Sequence, residues 1–78
     1  MTKRMDMYRI ANAFQQAAIE GHYEQCINIV ANFAHVYRED YQSVLIMVSV
    51  MLMDPTGYSY ADYDKIKRTI IEMMEETR

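Results

Sequence analysis

The chain has 78 residues, of which 51% are hydrophobic, and it carries a net charge of −3. That length fits a single domain, and the high apolar content excludes intrinsic disorder. The acidic balance gives no electrostatic basis for holding nucleic acid or an anionic membrane. Cys26 is the one cysteine, so no internal disulfide can form. The basic start Met1–Arg4 is followed by Asp6, Arg9 and Asn12 rather than by an apolar run, so no signal peptide is expected. Both features predict a protein of the reducing cytoplasm.

The first predicted helix covers Lys3–Glu20. Met7, Ala11, Phe14 and Ala18 recur at steps of three and four, which places them on one face, while Arg9, Asn12, Gln15, Gln16 and Glu20 turn outward. Gly21 stands where the pattern breaks and suits a left-handed C-terminal cap. The second helix, from His22 to Tyr37, has the clearest stripe: Tyr23, Cys26, Ile27, Val30, Phe33, Ala34 and Tyr37. A short break is expected over Arg38-Glu39-Asp40, with Asp40 capping the third helix.

That third helix, Tyr41–Met53, is predicted to be apolar on two sides. Tyr41, Val44, Leu45, Val48 and Leu52 form one face; Ile46, Val50 and Met53 form the opposite one, and Ser49 is the polar residue in its middle. A helix of that kind must be covered all round. The same run also alternates as a strand would, at Val44, Ile46, Val48, Val50 and Leu52, and periodicity alone leaves both readings open. Helix is preferred because a lone strand would have no partner within the chain. The longest apolar run, Val44–Met53, has ten residues, about half of the roughly 20 that cross a bilayer, so no transmembrane segment is expected.

Asp54-Pro55-Thr56-Gly57 reads as a turn. Ser59 fits an N-cap, with Asp62 three residues on as a weak capping box, and the fourth helix runs from Tyr60 to Glu76. Its core face is Tyr63, Ile66, Ile70, Met73 and Met74, and Asp64, Arg68 and Glu72 alternate in charge along its exposed side. The expectation is an all-α, compact four-helix bundle in a single domain spanning residues 1–78.

Few residues suggest chemistry. His22 and Cys26 are four apart on one helix, but zinc needs about four ligands and no second pair exists, so no metal or other cofactor is expected. Cys26 lies in the apolar stripe, where burial raises a thiol pKa and argues against a nucleophile. The carboxylates Asp62, Asp64, Glu72, Glu75 and Glu76 fall on an outward face, where nothing tunes an acid or a base. No catalytic site is read. The second and third helices resemble a helix-turn-helix in spacing only, because the would-be recognition helix offers no Arg, Lys or Asn to a base edge.

Ala17, Gly21, Tyr23 and Cys26, in the order Ala-x-x-x-Gly-x-Tyr-x-x-Cys, resemble the joint of tetratricopeptide-type repeats. The match occurs once and lacks the family's proline and its second repeat, whereas such arrays need about three units. It implies a helical hairpin and no function.

Small folds often need a second copy to complete their core. The expectation is therefore a homo-oligomer, a two-fold dimer in which Ile46, Met47, Val50 and Met53 form the seam. Seven tyrosines and eight methionines suit contact surfaces as well as cores. Tyr37, Tyr41, Tyr58, Tyr60 and Tyr63, with Lys65 and Arg68, are the candidate partner-binding residues. The functional reading is a non-catalytic protein–protein interaction module, of the kind that phages and mobile elements encode to modulate a host protein. The alternatives are an oligomer that binds or sequesters a nucleotide through tyrosines near Lys65 or Arg68, and a small DNA-binding regulator.

Overall fold

In the computed structural model, which describes residues 2–76, four α-helices form: α1 (Lys3–Glu20), α2 (Tyr23–Tyr37), α3 (Tyr41–Leu52) and α4 (Tyr60–Glu76). Met1 of the basic opening stretch lies outside these residues. Among the described residues there is no strand, and segment 44–52 is helical. A helix satisfies its own backbone, whereas a strand here would have left every ladder bond without a partner.

Capping explains where the helices start. Thr2 Oγ1 accepts from the Met5 N–H at 3.2 Å, and Asp40 Oδ2 accepts from the Ser43 N–H at 3.2 Å. Ser59 Oγ accepts from the Asp62 N–H, also at 3.2 Å. Each bond satisfies a donor that the first helical turn leaves open. His22 precedes α2 and makes no side-chain capping bond, so that helix starts one residue later than its pattern suggests. α3 stops at Leu52 rather than Met53, because Pro55 forces Asp54 into an extended conformation (φ −96°, ψ 112°). Asp54 Oδ1 then accepts from the Thr56 N–H at 3.1 Å, and the expected turn is wound as a 3-10 turn over Pro55–Gly57.

Two helices end in the same way with different residues. Gly21 adopts φ 80°, its N–H reaches the Ala18 carbonyl, and the His22 N–H reaches that of Ala17. Arg38 adopts φ 53°, its N–H reaches the His35 carbonyl, and the Glu39 N–H reaches that of Ala34. Both sets of bonds form a Schellman motif, which needs a left-handed residue at that position. Glycine adopts it freely, whereas an L-residue with a Cβ loses about 1–2 kcal/mol there. Arg38→Gly is therefore expected to stabilise the fold by about 0.5 kcal/mol, after allowing for the greater freedom of glycine in the unfolded chain. Urea midpoints of the two proteins check this; an unchanged or lower midpoint would show that Arg38 carries no strain.

The core sits where α1 and α3 meet the other two helices. α1 packs on α2, α3 and α4, and α3 likewise packs on the other three. Phe14, Cys26, Val30, Val44, Leu45, Val48 and Ile66 are fully enclosed, with Met73 and Leu52 beside them. Ile10 and Ala17 are also buried, which broadens the buried arc of α1 beyond the predicted stripe. Ser49 does not break α3, since its hydroxyl donates to the Leu45 carbonyl at 2.8 Å and so carries its own partner. The fold measures 34 × 29 × 18 Å. Helices are about 10–12 Å across with their side chains, so the short dimension holds two layers and every helix keeps one face outward. No described helix is long and apolar enough to cross a membrane.

Candidate functional site

The outward face of α3 is the most unusual surface of the molecule. From Tyr41 to Leu52 the helix contains no Asp, Glu, Lys, Arg or His. Val44, Leu45, Val48 and Leu52 are buried, and the opposite side carries Ile46 at 49% exposure and Val50 at 76%. The two are one helical turn apart, so they form a single stripe. Met47 and Met53 flank it half-buried and packed against the core edge. The two-sided pattern of the sequence is therefore present, but the second side is uncovered.

Three of the seven tyrosines tie one part of the fold to another through their hydroxyls. The Tyr37 hydroxyl, at the end of α2, donates to Asp6 Oδ2 in the first turn of α1, and its ring stacks on Phe33 at 4.5 Å between centroids. Lys3 Nζ lies 5.6 Å from the centre of the same ring and pairs with Glu39. Tyr23, at the start of α2, donates to Glu76 Oε2 at 2.8 Å, linking it to the end of α4. Tyr58 reaches Gln15 Oε1 on α1 at 3.4 Å. Tyr41 is partly buried, and that burial, followed by the Glu76 carboxylate, pushes its hydroxyl pKa up. Tyr63 is half-buried, whereas Tyr60, the first residue of α4, is 90% exposed. Of the five tyrosines expected to meet a partner, Tyr60 alone projects freely.

The Tyr37 bond makes the acid stability of the fold predictable. The hydroxyl holds the Asp6 carboxyl below its usual 3.8, against a smaller opposing effect of burial, and Arg9, 2.9 Å from Oδ1, acts in the same direction. The folded chain thus binds this proton more weakly than the unfolded one. The stabilising contribution is complete above about pH 5 and is lost as the pH falls through 3.8 and below. Tyr37→Phe is expected to return Asp6 toward its ordinary value and to flatten the fall of the melting temperature in that range. Carboxyl chemical shifts followed through an acid titration give the answer, and an unmoved Asp6 would refute the assignment.

Lys65 and Arg68 do come together, in a shallow cleft between the end of α1 and α4, but Glu20 and Glu72 line it with them and no tyrosine does. Lys65 Nζ bonds to the Ile19 carbonyl at 3.3 Å, and Arg68 Nε to Asp64 Oδ2 at 2.9 Å. The tyrosines expected to stack beside these two cations therefore do not line their cleft.

His22 and Cys26 diverge. The imidazole is exposed, 3.4 Å from Glu20, while the thiol is enclosed and lies 3.8 Å from the Phe14 carbonyl oxygen. Burial pushes the Cys26 pKa up to about 11, so at neutral pH it is a packed, protonated thiol.

A second apolar feature lies where the exposed edge of α1 meets the end of α3. Met7, Tyr8, Ala11, Met51, Leu52 and Tyr58 line a groove of about 440 Å³, with Arg4, Asn12 and Gln15 at its margin. Sequence reasoning missed it, because no single stripe encodes a groove made from two helices and a turn.

Compared with known protein families, curated proteins and solved structures, the chain matches none. The surfaces of the fold are what bear on its function.

Proposed function

We propose that this chain is a non-catalytic interaction module that pairs with a second copy of itself through the outer stripe of α3 and, in that form, modulates another protein. The observation that carries this reading is the combination at α3 of exposed aliphatic side chains with a complete lack of charge. Water-exposed aliphatic residues gain free energy on burial, about 25 cal/mol per Å² of apolar surface. Ordinary helices offset that gain with Lys or Glu, whose desolvation opposes contact. Here no charged side chain of α3 opposes it. A helix face meeting its own copy about a two-fold axis places like residues together, which is harmless for Ile46 and Val50 and costly for any charge.

The module would then display Tyr60 to its partner, since this ring stands clear of the fold just beyond the α3–α4 connection. Tyrosine suits that task by joining a large apolar ring to a polar tip. Sedimentation equilibrium tests the self-pairing. The mass is expected to move from 9.3 kDa toward twice that value as the concentration rises through the micromolar range. A constant monomer mass up to several hundred micromolar would end this reading.

A further inference from the structure

We propose that the groove between α1 and the end of α3 is a binding site for a medium-chain aliphatic carboxylate, with the carboxylate on Arg4 and the chain lying between Tyr8 and Met51. This inference does not depend on α3 self-pairing, because Met51 and Leu52 point away from the Ile46–Val50 stripe around the helix.

Three observations support it. The first is shape. Arg4, Tyr8, Asn12 and Gln15 follow one another along one side of α1 at three- and four-residue steps, with Met7 and Ala11 beside them. Arg4 and Gln15 are eleven residue steps apart in α1, so the trough is about 16 Å long, which suits an extended chain rather than a ring system. Its volume of about 440 Å³ falls within the range of small-molecule sites.

The second is the distribution of cations. Lys3 pairs with Glu39 and Arg9 with Asp6, and Asp6 also holds Tyr37 of α2. Those carboxylates lie toward α2, on a different side of α1 from the groove. Among the described residues no carboxylate pairs with Arg4, although it stands at the groove's edge. A guanidinium presents a planar fork that matches a carboxylate, and the positive end of α1 adds to the same field.

The third is polarity along the trough. Beyond Gln15 and Tyr58 the next cleft contains Asp54, whose carboxylate is held by the Thr56 N–H and hydroxyl. A ligand anion is repelled from that end and attracted to the Arg4 end, so only one orientation of a charged chain is favourable. At the Gln15 end the Tyr58–Gln15 bond is 3.4 Å long, weak for an O–H donor, so both side chains can adjust to the ligand's terminal methyl group.

The test is a two-dimensional amide NMR titration of the full chain with hexanoate, octanoate and decanoate, each below its micellar concentration, repeated in Val50→Lys to keep self-pairing out of the measurement. The expected result is saturable shifts confined to the groove, from Arg4 through Tyr8 and Met51 to Gln15 and Tyr58. Affinity should rise about two- to threefold for each added methylene, somewhat less than full burial of the group would give. Arg4→Gln should weaken decanoate about fivefold and leave octan-1-ol unchanged, and Tyr8→Ser should weaken acid and alcohol alike. Both positions are exposed, so each variant should fold. Shifts that never saturate or spread over the whole surface would overturn the proposal. So would affinities indifferent to chain length, or an Arg4→Gln protein that binds decanoate as the wild type does.

Discussion

Phe14→Ala is expected to remove at least about a quarter of the stability of this protein, and all of it if the total lies at the low end. Phe14 has no exposed surface and belongs to α1, one of the two helices that pack on all three others. Truncating a buried phenylalanine costs about 3–5 kcal/mol, through lost transfer free energy and the cavity left behind. A chain of 78 residues has roughly 4–12 kcal/mol in total, at about 0.05–0.15 kcal/mol per residue. The cavity would be slow to collapse, because the buried cluster to which Phe14 belongs is drawn from four separate helices. With a urea dependence of about 1 kcal/mol per molar for a protein of this size, the midpoint should fall by roughly 3 M or more. Circular dichroism in urea measures it. A loss under about 1 kcal/mol would mean that the core is not closed around this ring.

The features that are legible in the sequence share a physical character: they are local. Gly21 announces a left-handed cap because only glycine adopts that conformation without cost, and Asp40 and Ser59 announce N-caps because their side chains reach a donor three residues away. The stripes of α2 and α4 are legible because each of these helices has one dominant buried face. Arg38 is opaque for the opposite reason. Its left-handed backbone is imposed by the hydrogen bonds that end α2, and the residue type gives no sign of it. Ile10 and Ala17 escape the predicted stripe of α1 because contact with three helices buries a wider arc than one stripe describes.

The tyrosines show where local reading stops. Tyr37, Tyr58 and Tyr23 find Asp6, Gln15 and Glu76 at separations of 31, 43 and 53 residues, and no periodicity encodes such pairs. In the sequence Tyr37 and Tyr58 look like surface available to a partner; in the fold the Tyr37 hydroxyl joins α2 to α1, and the Tyr58 hydroxyl joins the α3–α4 connection to α1. The groove beside Arg4 is equally non-local. For α3, by contrast, the sequence carries more than the isolated subunit uses. Its second apolar face is plain from the pattern, and a fold 18 Å thick has no third layer with which to cover it.

Val50→Lys tests that uncovered face with the largest expected change in assembly and the smallest in folding. In the isolated subunit Val50 is 76% exposed, so little packing is lost. Lysine is a better helix former than β-branched valine. It would also stand in the last turn of α3, where the negative end of the helix favours a cation. The urea midpoint should therefore stay level or rise slightly. In the paired state the same substitution brings two ammonium groups together across the two-fold axis in a surface that offers them no carboxylate. α3 is about 18 Å long, at 1.5 Å per residue over 12 residues, so its outer stripe offers at most a single helix-on-helix contact. That is short of the roughly 1,200–2,000 Å² of stable interfaces, so the wild-type pair is expected to dissociate in the micromolar range. Desolvating an unpaired charge in so small a contact opposes most of its gain, and the variant should remain monomeric to millimolar concentration, at least a hundredfold weaker. Sedimentation of the two proteins side by side separates the cases. If Val50→Lys pairs as tightly as the wild type, any self-association uses another surface. If the variant loses stability instead, Val50 faces inward and the two-layer description of α3 fails.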